Sequence, residues 1–548
     1  MFTRNSLFIL FVFVSLLMAQ GQSTIANLEK ILNEKFSASE PGAAVLVVHQ
    51  DKVLLRKGYG MADMGRKVSI EPDMVFRIGS ITKQFTSTAI LKLVQEGKLS
   101  LQDDITKYLP DYKTSSPITI DQLLNHTSGI KSYTNVPERM TTEAKKQRVT
   151  VQEMINYIQT YTPDFAPGEQ WFYNNSAYFL LGAVIEKVTG TTYNEYLSKT
   201  FFKPLGMKSS YPDDSKPIAK QAVGYTKVNE SEFKIADYVH PSIPYSAGSI
   251  FSTVDDLHKW NTAVFSYKLV KQDLLEKAWT PTKTNKGAVE SYGYGWQLGK
   301  VGNNKAIGHG GGIDGFVSFE VYVPEQKIYV CVLANTGFAI EDIAYTLAEE
   351  VAGQNKEKPV AIKLEPGKLD QFVGVYSIDE QNERVISRKG DQLFSQRTGG
   401  TKFEIYPFAE NKFAFKETNS QLHFEVENGV VKAMELVGRS FVDQRAVKTN
   451  KAVPAEREVY VLNPVDFDPF VGEYELAPGF LIKVWREENN YKAQATGQPS
   501  FDIYPESATK FFLKVVDAQI EFSRNEQNEV TSLTLHQGGR AMPGKKVK

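Results

Sequence analysis

A repeat in the C-terminal third constrains this chain more than any other feature. Leu369-Asp-Gln-Phe372-Val-Gly374-Val-Tyr376 recurs as Phe467-Asp-Pro-Phe470-Val-Gly472-Glu-Tyr474. Phe403-Glu-Ile-Tyr-Pro407 recurs as Phe501-Asp-Ile-Tyr-Pro505, and Lys412-Phe413 as Lys510-Phe511. All three pairs share an offset of 98 residues, which is the signature of a duplicated domain. Each copy consists of short alternating runs broken by turn residues, with little helical periodicity. Two small antiparallel β-barrels or sandwiches are expected, at 366–450 and 464–548. The polar stretch 354–365, which follows Gly353, reads as a linker.

Residues 22–353 then form a domain of their own. Ala43–His49 and Val53–Gly60 pattern as strands around an Asp51-Lys52 turn, and Phe316–Val323 and Lys327–Asn335 as a second hairpin around Pro324. Helices are expected at 25–36, from Ser80 to about Lys98, and at 339–352. The second of these carries Ile81, Phe85, Ala89 and Val94 on one side. Strands at both ends with helices between them imply an α/β (α+β) fold. An antiparallel sheet would have the terminal helices on one face and a helical insert on the other.

Composition narrows the function. Of 548 residues 42% are hydrophobic and 23% charged, and the net charge is −1. That fits packed cores and excludes a disordered chain. There is no basic excess to suggest nucleic acid as a partner, and no polybasic tract that would seek a membrane. At the N-terminus Arg4 precedes the apolar stretch Leu7–Ala19, and Ala19-Gln20-Gly21 supplies small residues for cleavage. Residues 1–21 therefore read as a signal peptide. The stretch is too short to span about 30 Å of hydrocarbon, so a secreted or periplasmic protein with no stable membrane anchor is expected. Cys331, the only cysteine, excludes an internal disulfide and sits in an apolar run as a small buried hydrophobe.

Ser-x-x-Lys occurs four times: Ser80/Lys83, Ser128/Lys131, Ser231/Lys234 and Ser507/Lys510. Context separates them. Ser80 opens an expected helix, where a three-residue step puts both side chains on one face. The helix start also favours charge on the attacking oxygen and offers backbone N–H groups to an oxyanion. The plainer role for Ser80 is an N-cap. A serine needs a base to become a nucleophile, and Lys83 is one candidate. Tyr173-Asn174-Asn175 precedes another helical run and offers Tyr173 as a second. Tyr133-Thr-Asn135 has the same pattern but lies in a loop without that anchoring. Gly308-His309-Gly310-Gly311-Gly312, just before the strand at Phe316, lets backbone approach a ligand. His536-Gln-Gly538 looks similar but has no strand expected after it.

These elements, in this order, resemble the penicillin-recognising serine hydrolases: class C β-lactamases, DD-peptidases, D-aminopeptidases and related esterases. The resemblance covers about 25–352 and includes Leu123-Leu-Asn-His-Thr-Ser-Gly129, Pro167–Ser176 and Ala247–Thr253. It implies that Ser80 is the nucleophile, that Lys83 and Tyr173 move protons, and that Asn175 binds a substrate amide. His309 and Gly311 would stand at the Lys-Thr-Gly position, with Gly312 and Ser80 N–H groups forming an oxyanion hole. The base assignment between Lys83 and Tyr173 stays open. Histidine where β-lactam-binding members carry lysine lowers the expectation of an anionic substrate.

D-aminopeptidases of this superfamily share the layout of a catalytic domain and two lipocalin-like eight-stranded barrels, a barrel loop limiting their site. The resulting expectation is a hydrolase of small peptide amides or esters, with a small molecule or short peptide as its partner. An esterase or β-lactam hydrolase is the alternative, and a non-turnover penicillin-binding or sensor protein a third. No His-Glu-x-x-His occurs and the seven histidines are scattered, so no metal or cofactor is expected. Nothing in the sequence bears on oligomeric state.

Overall fold

A computed structural model describes residues 23–548 except 214–217, 230–231, 355–357, 379–381, 399, 443, 456, 458, 478–479, 497–499 and 538–539. The expected signal peptide and Ser231 lie outside the described residues. Most of the chain up to Asn355 forms one compact unit, and Lys356–Lys548 forms the second.

The first unit is built on a six-stranded antiparallel sheet. Its strands are β1 (Ala43–His49), β2 (Lys52–Tyr59), β3 (Gln297–Val301), β4 (Asn304–Ile313), β5 (Phe316–Val323) and β6 (Ile328–Ala334), in the order β3-β4-β5-β6-β1-β2. Four helices matter for the site: α1 (23–35), α2 (Thr82–Gln95), α3 (Asn175–Thr189) and α4 (Ile340–Val351). Helices α1 and α4 cover one sheet face, where Leu28, Leu32, Ala344 and Leu347 pack on Val45, Val47, Phe319 and Val321. Strand side chains alternate, so Glu320 leaves that core and turns toward the insert carrying α2. β6 is buried on both faces, which accounts for its unbroken apolar run; Cys331 in it is free and buried. No helix among the described residues is long and apolar enough to cross a membrane.

One expectation changes here. Helix α2 is not amphipathic over Ser80–Lys98. A 3₁₀ turn, Gly79–Ile81, precedes it, and from Thr82 to Leu91 it is buried all round. Its polar side chains are absorbed locally: Thr86 Oγ1 donates to Ser246 O at 2.7 Å. The glycine-rich run does precede the strand at Phe316, as expected, and is itself strand. Gly308–Gly312 is the body of β4, paired to β3 on one side and β5 on the other where the strands overlap.

The second unit contains two closed eight-stranded barrels, spanning Gly374–Lys448 and Gly472–Lys546. The repeat residues are the ones that build them. Phe372, Tyr376, Phe413 and Phe424 fill the first barrel as Phe470, Tyr474, Phe511 and Phe522 fill the second. Tyr376 Oη donates to Phe372 O and Tyr474 Oη to Phe470 O, each at 2.7 Å. Ile362 N donates to Pro407 O and Tyr460 N to Pro505 O, each at 2.8 Å, so the end of the expected linker is already tied to the first barrel. His536 lies within a barrel strand, with another strand following at Arg540–Lys546, and pairs with Glu521.

Candidate active site

The turn bearing Ser80 is fixed by glycine contacts. Gly79 has φ +50°, and a Cβ there would stand 2.8 Å from Gly312 N. A Cβ on Gly311 would stand 2.0 Å from Ile78 O, and Ser318 Oγ donates to that same carbonyl at 2.7 Å. Only glycine allows so close an approach. The main chain at Ser80 is thereby held against β4 at Gly312. Gly312 itself is exposed, with open space where a side chain would be. Ser80 is not an N-cap, since its side chain caps neither the 3₁₀ turn nor α2.

Lys83 is fully buried, one turn along from Ser80. Its Nζ lies 3.1 Å from Ser80 Oγ, 2.7 Å from Asn175 Oδ1 and 2.8 Å from Ala247 O. An ammonium would donate to all three. A neutral amine would donate to Asn175 and Ala247, leaving its lone pair for the Ser80 hydroxyl proton. Burial pushes the Lys83 pKa well below the usual lysine range and brings the neutral form within reach. The rings of Tyr173 and Tyr178, centred 4.8 and 5.5 Å from Nζ, work against this by favouring the cation. Asn175 opens α3 and is oriented from behind, its Nδ2 donating to Thr134 Oγ1 at 3.0 Å. That settles which end of the amide faces Lys83.

Tyr173 is brought to the same place. Its ring is partly exposed, but its hydroxyl is buried and makes no hydrogen bond of good geometry. Burial raises its pKa strongly, and the neighbouring Ser80 hydroxyl pulls it back only in part. A standing phenolate is therefore disfavoured. Tyr133-Thr-Asn135 is no bystander: Ser132 Oγ accepts from Asn175 N at 3.2 Å, and Tyr133 N donates to Ser176 Oγ at 2.8 Å. The look-alike motif forms the wall that positions Asn175.

His309 is neither a surface residue nor partly charged. It is 2% exposed, accepts from Tyr292 Oη at Nε2 (2.9 Å), and donates from Nδ1 to Gly310 O (2.5 Å). Burial, with Lys83 nearby, pushes its pKa down to about 3. A lysine there would present a charge, whereas this imidazole is neutral at any ordinary pH.

His126 lies in a stretch that carries the family resemblance and has no role assigned from sequence, yet it is 1% exposed beside Tyr173. Its ring packs on Tyr173, Tyr178 and Tyr292, with centroids 4.5–5.1 Å apart. Its Nδ1 accepts from Asn174 N at 3.1 Å. The left-handed backbone at His126 (φ +65°) is the physical oddity of that stretch.

The other Ser-x-x-Lys pairs within the described residues do not converge. Lys131 pairs with Asp164 at 2.8 Å, away from Ser128, and Ser507 Oγ accepts backbone N–H groups in a barrel turn.

Residues 24–352 match the family described as Beta-lactamase. The chain belongs to that family. Within it, Protein flp of Staphylococcus aureus (strain MRSA252) is 32% identical over 350 residues, covering 61% of this chain and 67% of that one. The octameric penicillin-binding protein homologue from Pyrococcus abyssi superposes with a TM-score of 0.55 at 26% identity, covering 78% of this chain and 99% of that one. A D-stereospecific amidohydrolase from Streptomyces sp. gives 0.50 at 26% identity, over 60% and 98%. Residues 461–546, the second barrel, match a domain of unknown function, DUF3471. This beta-lactamase-family member thus joins a serine-hydrolase fold to two C-terminal barrels.

Proposed function

We propose that this chain is an exported serine hydrolase that cleaves small peptide amides or esters through an acyl-enzyme, with Ser80 as nucleophile and Lys83 as its base. The observation that carries this is the triple contact of buried Lys83 with Ser80, Asn175 and Ala247. In the neutral state Lys83 takes the Ser80 proton as Oγ attacks the substrate carbonyl carbon. The Ser80 and Gly312 N–H groups stabilise the oxyanion. Tyr173 relays the proton to the departing nitrogen or oxygen as the carbonyl bond to it breaks. Water then attacks the ester on Ser80 and restores the hydroxyl. His309, neutral and bound to Tyr292, offers no charge to a substrate carboxylate, which favours amides and esters over β-lactams. The name of the Streptomyces relative supports a preference for D-residues. The sequence of residues 1–21 supports export.

The test is a panel of D- and L-aminoacyl anilides, short-chain esters and a chromogenic cephalosporin, with mass spectrometry of the Ser80 peptide. Turnover of anilides or esters with a transient adduct on Ser80 is expected. Turnover surviving Ser80→Ala would sink the assignment. A burst followed by a persistent adduct would instead identify a non-turnover sensor.

A further inference from the structure

The duplication supplies an internal comparison, because each residue of one barrel has a counterpart 98 positions away in the other. Across four strands of the first barrel the register aligns Arg397, Arg384, Tyr376 and Lys448 in one row. The equivalent row of the second barrel is Ala495, Ile482, Tyr474 and Lys546. Residues directly opposite in a ladder share a face. Tyr376 is a core residue, so the row faces inward, with Arg397 exposed at its end. The lysine and tyrosine are common structure: Lys448 Nζ donates to Gln371 O and Lys546 Nζ to Pro469 O, each over the tyrosine ring at 5.7 Å. The arginines belong to the first barrel alone.

Arg384 is 8% exposed. A guanidinium has five donors, and one of them, on Nη1, donates to Ser395 Oγ at 3.0 Å. Ser395 is fully buried and has Ala493 as its counterpart. Among the described residues no carboxylate pairs with Arg384 or Arg397. The neighbouring acid Glu383 is held by Lys451 at 2.5 Å. The charge felt by Arg384 is that of Arg397, which with burial brings its pKa down to about 10, still cationic at neutral pH. Desolvating a cation without a counter-ion is costly, and the sister barrel shows that apolar residues serve the fold equally well here. A buried fork with free donors beside a second guanidinium is suited to the planar or tetrahedral oxygens of an anion.

We propose that the inner face of the first barrel binds an oxyanion, a carboxylate or phosphate carried by a small ligand, between Arg384 and Arg397. The second barrel has no such site. The full-length protein would be titrated calorimetrically with inorganic phosphate and, separately, with acetate, at ionic strength held constant with chloride. The variant R384I/S395A/R397A installs the second barrel's own residues, so the fold is expected to survive. One site per chain is expected, weakened about ten- to a hundredfold in that variant, from the loss of charge-assisted hydrogen bonds. The preferred arm distinguishes phosphate from carboxylate ligands. Phosphate or acetate should also raise the unfolding temperature of the wild type but not of the variant. R384K, which keeps the charge and loses the fork, should weaken binding about tenfold without a change in fold. Equal binding by wild type and variants, or no binding by the wild type at millimolar anion, overturns the proposal.

Discussion

The two units of this chain are both built on antiparallel sheet with apolar cores, and they differ in the polar residues they bury. The barrels close over aromatic rings, and apart from Arg384 and Ser395 every buried residue described in them is apolar or glycine. The first unit buries Lys83, Gln84, His126, Asn174, His309 and Glu320 around one point of its sheet. Buried polar groups are costly unless they are satisfied, so a cluster of them marks where the fold gives up stability for chemistry. The second barrel shows what such a sheet looks like when packing alone is at stake.

The sharpest break in this comparison comes from variants that abolish activity without touching stability. Ser80→Ala should lower turnover by about 10⁴-fold or more while the melting temperature stays put, because Ser80 is partly exposed and packs no core. Tyr173→Phe should lower kcat by about 10²–10⁴ if its hydroxyl relays a proton. The hydroxyl makes no well-formed hydrogen bond, so stability should hardly change. Thr134→Val should lower activity about tenfold by releasing the Asn175 amide, which a merely structural role in the loop would not do.

The barrels should behave the other way round. Tyr376→Phe and Tyr474→Phe each leave a buried carbonyl unsatisfied and should each destabilise by about 1–3 kcal/mol, with catalytic parameters unchanged. Unequal losses would mean that the two copies are not energetically equivalent.

The smallest effect is on pH dependence. His309 in the folded state titrates near 3, far below its ordinary 6.5, and His126 is displaced in the same direction. Each contributes stability that is fully present above pH 6.5 and is lost as pH falls toward the folded value. Glu320 is displaced the other way, up to about 7 from 4.5. It contributes stability present below pH 4.5 and lost as pH rises to about 7, which partly offsets the histidines between 4.5 and 6.5. Calorimetry of Glu320→Gln should therefore show a steeper acid loss across that window in the first unit and none in the barrels. A slope identical to wild type would remove Glu320 from this balance.

Much of this was legible in the chain. The repeat offset, the two hairpins and the terminal helices follow from local patterns, and the glycines at 308–312 signalled close backbone approach. The misreadings have one cause. Helix α2 looked amphipathic and the charge of His309 stayed open, because periodicity and composition do not tell which elements are covered on both sides. His126 and Glu320 were passed over for the same reason: a polar residue inside a turn or a strand pattern reads as solvent-facing until a second element is packed on it. Tyr133-Thr-Asn135 looked idle because its role, holding Asn175, is a contact across 41 residues.

By itself the sequence determined that there are two copies of a small β domain, and that the remainder carries a sheet built from strands at its two ends. Periodicity and repetition are local properties, and these conclusions need nothing else. Ser80 and Lys83 were one matching pair among four. The helix start and the motifs downstream singled them out; only the tertiary structure brought Asn175, Tyr173 and the Ala247 carbonyl from far along the chain around a lysine buried from solvent. Burial lowered the pKa of both Lys83 and His309, and burial is a property of the assembled fold.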